Sequence, residues 1–294
     1  MTHSLLIINP TSARGKAGAA REAVVRELEK AGPVDVVVSA APGEAEKDAR
    51  RAAEGAYRRV IAAGGDGTIN EVVNGLAGSD VELGIIALGT ANVLARELGL
   101  PIHDIPSAAA VIRTGPIRRI DLARADSRYY AAMAGFGFDA AVVDRVVPRI
   151  KDFIGAGAYA FAIARELVSH KPARFSLDLD GEALETEASV VVVANSASYA
   201  YGIKVAPRAS LDDGWLDVII FEKAKPVKLA LVHQALRVVM STHQSDPNIR
   251  FLRARRVRVE TEPSVLVQLD GDVVGATPTQ IEVVPKALSV IVGA

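Results

Sequence analysis

Four short apolar runs near the start of the chain, "SLLII", "VDVVV", "RVIAAGG" and "LGIIALG", each give way to a stretch of helical character. Continuous apolar runs, as "RVIAAGG" and "LGIIALG" are, suit strands covered on both faces. Strands that alternate with helices build a parallel sheet, because each return to the same edge requires a crossover. Residues 1–125 are therefore predicted to form an α/β domain, with helices over Lys16–Ala31 and Gly43–Tyr57.

Beyond about Ala125 the pattern changes. Helical periodicity is expected from roughly Val142 to Ser169 and from about Pro226 to Met240. Most of the remainder reads as strand. "RFSLDLDGEALE" alternates apolar and polar residues around Asp180-Gly181, a strong hairpin signal. "ASVVVVANS", "WLDVIIFE", "RRVRVETE" and "SVLVQLDGDVVG" complete a mainly antiparallel β-sandwich domain over residues 126–285. No internal repeat or low-complexity linker interrupts the two.

Composition excludes several classes. A formal net charge of −1 lacks the basic excess of a general nucleic-acid binder, so no nucleic-acid partner is expected. With no cysteine there is no disulfide, thiolate metal site or cysteine nucleophile, which fits a cytoplasmic protein. The apolar run in "MTHSLLIINP" is too short for a signal peptide, and no run approaches the roughly 18 residues of a membrane span. Membrane contact is expected to be peripheral.

Four segments carry chemistry. In "VIAAGGDGTINEVV" a buried strand opens into Gly64, Gly65, Asp66, Gly67 and Thr68 before a helix begins. Such a turn aims backbone N–H groups at a docked anion, and glycine permits close approach. An acid within a phosphate cradle would repel its ligand unless a cation intervened, which makes Asp66 a candidate Mg²⁺ handler. "ALGTANVLARELGLP" repeats the plan with Thr90 and Asn92, residues that also serve as helix caps. Two such turns on one sheet can flank a nucleotide, since ligands bind beyond the carboxyl ends of parallel strands. "INPTSARGKAG" lacks the phosphate-loop spacing, because Ala17 follows Lys16. In "SVLVQLDGDVVG", Asp270-Gly271-Asp272 reads either as a hairpin turn or as acids that could accept a hydroxyl proton.

Taken in order, Asn9-Pro10, Gly64–Glu71, Leu88–Asn92, Asp121 in "RRIDLAR", "ANSASYAYGIKVAPRASLDDGWLDV" and Leu269–Asp272 resemble the diacylglycerol kinase catalytic-domain family. The likeness is to its bacterial soluble lipid kinases, relatives of sphingosine and ceramide kinases, and it spans nearly the whole chain. It implies an α/β nucleotide domain, completed by residues 286–294, and a β-rich acceptor domain, with the active site between them. It implies that Asn9, Ser39, Gly64, Gly65, Asp66, Gly67, Thr68, Ile69, Asn70 and Thr90 hold ATP. Asp66 and Asp121 would lie near the catalytic Mg²⁺, and Asp213 with the carbonyls of Ser210 and Trp215 would hold a structural one. Asp270 and Asp272 would carry the base.

The implied activity is an ATP- and Mg²⁺-dependent transfer of the γ-phosphate to a lipid hydroxyl. The partners would be ATP and a membrane lipid, with the protein cytoplasmic and peripherally membrane-associated; monomer and homodimer both stay open. Three departures bear on the acceptor. Asp272 replaces the family's glutamate, Val93 stands where many diacylglycerol kinases have aspartate, and "SYAYGIKVAP" lacks a glycine run. An NAD kinase shares Gly-Gly-Asp-Gly-Thr and is one alternative; a non-catalytic nucleotide- or lipid-binding protein is another. His3, His103, His170, His233 and His243 show no ligand spacing, and the basic "IRFLRARRVRVETE" alternates as a solvated strand face does, with an anionic-surface contact as the other reading. The segment around Arg145, Arg149, Lys151, Phe153, Ile154, Tyr159 and Phe161 suits core packing or lipid capture.

Overall fold

The computed structural model describes residues 3–10, 16–55, 57–145, 165–167, 169–199 and 202–293. The stretch from Arg149 to Phe161, and residues 11–15 of "INPTSARGKAG", lie outside these. The chain divides into two compact units, Met1–Leu122 with Val284–Ala294, and Ala123–Val283.

The first unit runs β1 (Ser4–Ile8), α1 (Lys16–Glu29), β2 (Val34–Val38), α2 (Glu44–Glu54), β3 (Arg59–Gly64), α3 (Asp66–Leu76), β4 (Glu82–Ala87), α4 (Val93–Glu97), α5 (Ile105–Thr114) and the start of β5 (Ile117–Ala125). Strands β2, β1, β3 and β4 lie side by side in parallel. All of β4 and nearly all of β3 is buried, as both-face coverage requires. One core face joins Leu6, Ile8, Ile61 and Ile86 of the sheet to Val24 and Leu28 of α1 and Ile112 of α5. Ile291, from the end of the chain, packs into the same cluster. Ser289 and Val290 pair in parallel with Glu82 and Leu83, so the C-terminal segment adds a fifth parallel strand.

The second unit contains β6 (Arg128–Tyr130), β7 (Met133–Gly137), α6 (Phe138–Arg145), β8 (Ala173–Leu179), β9 (Glu182–Ala194), β10 (Leu216–Glu222), α7 (Val227–Val239), β11 (Ile249–Ala254), β12 (Arg256–Glu262), β13 (Leu266–Leu269) and β14 (Asp272–Ala276). It also holds the first part of β15 (Thr279–Ile291). Its pairings are antiparallel. Strand β9 is a single 13-residue strand whose first half pairs β8 and whose second half pairs β7 and β10. Phe136, Phe175, Leu177, Val191, Val218 and Val259 form the core of this unit.

The helix expected from Val142 starts four residues earlier, at Phe138. Gly137, with φ of 79°, ends β7 and turns directly into it. The hairpin at Asp180-Gly181 forms as its sequence requires, with φ of 55° and 96° at the two turn residues.

Candidate phosphate loops and acceptor hairpin

Strands β3 and β4 are neighbours, and each ends in a glycine turn. The two turns touch. A Cβ on Gly89 would stand 2.5 Å from Gly65 Cα and 2.8 Å from Asn92 Oδ1, distances no real side chain tolerates. A Cβ on Gly64 would meet Thr68 at 2.8 Å. Gly64 and Gly89 are thus demanded by packing. Gly67 is not: a Cβ there would meet nothing within 4 Å, and its φ does not require glycine. It sits in the first turn of α3, where backbone N–H groups have no intrahelical acceptor. A glycine that the protein itself does not need, at a helix start, leaves room for a close ligand.

Asp66 binds the two loops together. Its Oδ2 accepts the Asn92 N–H at 2.8 Å and its Oδ1 accepts the Val93 N–H at 2.6 Å, so it caps α4 across the sheet. Asn92 is buried with φ of 50°, and its Nδ2 donates to the Gly89 carbonyl at 2.8 Å. These two amides occupy one site on each Asp66 oxygen, a structural role the sequence does not reveal. Glu71, later in the same motif, accepts from Gly43 N–H and Ala45 N–H at 2.9 and 3.1 Å and so fixes the start of α2.

The other nucleotide-holding candidates separate by exposure. Thr90 is exposed, whereas Thr68, Ile69 and Asn70 are buried. The Asn9 N–H, at the end of β1, donates to the Ala63 carbonyl at 3.3 Å. Ser39 is buried, and its hydroxyl donates to Asp48 at 2.8 Å. Asp121 is buried on β5 and accepts the Lys286 N–H at 2.8 Å. Among the described residues no group of three or more Asp, Glu or His side chains could hold a metal. Asp66 is half-buried. A Mg²⁺ that arrives on a nucleotide needs only one or two carboxylates beside the phosphates, and half-buried Asp66 suits that better than Asp121.

At the proposed structural site, Asp213 Oδ1 accepts the Trp215 N–H at 3.0 Å, and Oδ2 pairs with the Arg253 guanidinium. Arg253 Nε also lies 3.4 Å from Asp217, whose carboxyl is pushed up by burial against the pull of that arginine. The Ser210 hydroxyl donates to Asp212 at 2.8 Å. A guanidinium already neutralises Asp213. Asp213→Ala is expected to lower the melting temperature by freeing Arg253 beside buried Asp217. If Mg²⁺ joins the loop, added Mg²⁺ raises the melting temperature of the native protein and not of the variant; indifference to Mg²⁺ leaves Arg253 as the sole cation.

In the second unit the Asp270-Gly271 turn has φ of 49° and 91°, the geometry of Asp180-Gly181. Both turn aspartates do the same job. Asp180 accepts the N–H groups of Arg255 and Arg256, each at 2.8 Å. Asp270 accepts those of Ala131, Ala132 and Met133 at 2.8–2.9 Å. Three backbone donors hold the Asp270 carboxylate in place as an acceptor within the turn. Asp272, directly after the turn, is exposed, as are Val273 and Val274 beside it.

A part-buried hydrogen-bonded chain supports the turn. The Tyr199 hydroxyl donates to Asp139 at 2.9 Å, and Gln268 Nε2 donates to the other Asp139 oxygen at 2.8 Å. Gln268 Oε1 then accepts the Gly271 N–H at 2.7 Å. Burial pushes the Asp139 carboxyl up, and the two donors pull it back. Gly135 leaves space for this chain, since a Cβ there would stand 1.9 Å from Asp139.

Known families match both units. The diacylglycerol kinase catalytic domain matches residues 3–125, and the YegS C-terminal NAD kinase beta sandwich-like domain matches residues 132–292. The Bacillus subtilis diacylglycerol kinase is 34% identical over 281 residues, 95% of this chain and 92% of that protein. A Mycobacterium tuberculosis diacylglycerol kinase is 33% identical over 295 residues, covering 97% of this chain and 93% of its own. A crystallised Bacillus anthracis str. Sterne protein assigned to the diacylglycerol kinases superposes with a TM-score of 0.83 at 27% identity, over 99% of this chain and 95% of its own. The chain belongs to the diacylglycerol kinase family.

Proposed function

We propose that the chain transfers the γ-phosphate of ATP to the hydroxyl of a diacylglycerol-like lipid. The observation that carries this reading is the open face at Gly67, on a helix start clamped to a second glycine turn through Asp66. The amides of that face would bind the triphosphate, and exposed Thr90 would add a hydroxyl. ATP-borne Mg²⁺, held through Asp66, would neutralise charge that develops on the transferring group. Asp272 would take the proton from the lipid hydroxyl, while Asp270 holds the turn in place. The exposed Val273 and Val274 next to Asp272 favour an acceptor with an apolar body over a dinucleotide. In this reading the protein meets the bilayer peripherally; no described helix is long and apolar enough to cross one.

Phosphoryl transfer from labelled ATP to short-chain diacylglycerol, sphingosine and NAD, each with Mg²⁺ and with a chelator, tests this directly. Phospholipid product that requires Mg²⁺ is expected. Phosphorylated NAD without lipid product identifies a dinucleotide kinase, and ATP binding without any product identifies a binding protein.

A further inference from the structure

Helix α7 is apolar on two opposite faces. Leu231 and Val238 pack inward against Val190, Ile219 and Phe221, and between them buried Gln234 points to the carbonyls of Glu222 and Asn248. On the other side, Leu229, Val232, Leu236 and Val239, followed by Met240 at the helix end, are exposed by 66, 37, 56, 62 and 68%. Spacings of three and four residues line these five along one stripe. Nine large hydrophobic side chains are exposed among the described residues, and five of them are here. Single exposed hydrophobic residues are ordinary, whereas a continuous stripe marks an interaction surface.

Charge says what the surface meets. From Lys223 to Ser245 the sequence holds Lys223, Lys225, Lys228 and Arg237 and no aspartate or glutamate, within a chain of net charge −1. Lys228 borders the stripe, exposed and without an ion-pair partner among the described residues. Lys223 pairs with Glu187. Arg237 donates to the Thr242 carbonyl at 2.7 Å. The acid facing the helix, Asp246, is buried, with Arg237 and His233 against it at 3.9 and 3.5 Å. A second copy of the chain fits this face poorly, because a two-fold contact would set Lys228 and its neighbours against themselves.

We infer that the outer face of α7 docks on an anionic lipid bilayer. The stripe from Leu229 to Met240 enters the acyl boundary, and Lys225 and Lys228 meet the lipid phosphates. The inference rests on the lipid-kinase reading, in which the acceptor resides in a membrane.

Vesicle co-sedimentation without nucleotide tests the docking by itself. The native protein is expected to bind phosphatidylglycerol–phosphatidylcholine vesicles more tightly than pure phosphatidylcholine vesicles, with affinity falling as salt rises. Leu229→Glu with Leu236→Glu should weaken that binding by about tenfold or more, and Lys228→Glu by several-fold. Ile117→Glu, which charges an exposed apolar residue on β5, should bind as the native protein does. Circular dichroism melts confirm that each variant folds. Turnover of a water-soluble short-chain diacylglycerol should survive in the double variant, with loss confined to vesicle-borne acceptor. Equal vesicle binding by the native protein and the double variant overturns the proposal. A native dimer that the double variant splits, with vesicle binding unchanged, makes a second copy the occupant and also overturns it. Vesicle binding that the double variant loses, in a protein that phosphorylates neither acceptor, upholds the docking face and rejects the kinase reading.

Discussion

Asp272→Asn is expected to lower kcat by about 10²–10⁴-fold and to leave the affinity for ATP nearly unchanged. A lipid hydroxyl at neutral pH is a weak nucleophile, and a carboxylate that removes its proton contributes on that scale. Asp272 is exposed and free to meet an acceptor, whereas Asp270 is occupied by three backbone N–H groups. The two aspartates should therefore fail differently. Asp270→Asn places an amide where only acceptors fit and should lower the melting temperature, with activity falling as a consequence. Asp272→Glu should keep substantial activity, because it restores the longer carboxylate implied by the family resemblance. Steady-state kinetics with a thermal melt on each variant separates these outcomes. Native turnover in Asp272→Asn would remove Asp272 as the base.

Gly67→Val is expected to weaken ATP binding by about 100-fold or more without loss of fold. Charge-assisted N–H···phosphate bonds contribute roughly 1.5–3 kcal/mol each, so two lost bonds exceed that factor. Valine in place of glycine does not harm a helix interior, and a Cβ on Gly67 would meet no atom within 4 Å beyond its own stretch of helix. Gly89→Val should do the reverse. Its Cβ would drive into Gly65 and Asn92, and overpacking of roughly 1–3 kcal/mol should lower the melting temperature by about 2–12 °C. Gly65 is a less clean probe, because a Cβ there already touches Gly89 at 3.4 Å. Nucleotide titration by calorimetry and thermal melts of the two variants measure both effects. Native ATP affinity in folded Gly67→Val would move the phosphate elsewhere.

Much of this molecule is written in short-range patterns. The continuous apolar runs of β1, β3 and β4 specify a sheet covered on both faces, because no polar alternation marks a solvent side. Asp180-Gly181 and Asp270-Gly271 specify tight hairpins, because few residue pairs adopt positive φ twice in succession. Both glycine turns at the carboxyl ends of β3 and β4 are visible because glycines set between an apolar run and a helical stretch mark a strand-to-helix turn. In each case the cause lies within a few residues of its effect, so spacing alone carries it.

The division of labour within those patterns was decided only by tertiary structure. Asp270 and Asp272 look interchangeable in sequence, yet Asp270 is held by N–H groups almost 140 positions earlier in the chain. Gly67 and Gly89 belong to similar turns, and only the approach of one turn to the other makes Gly89 indispensable. Asp66 and Glu71 read as parts of one motif, although each caps a different helix. Periodicity announces that α7 is apolar, but not that Leu231 and Val238 turn inward while Leu229 and Leu236 stay in solvent. The physical reason is common to all four. A backbone N–H is the same at every residue and leaves no mark in the sequence, so which carboxylate it meets, and which apolar face finds a core, depend on contacts between distant segments.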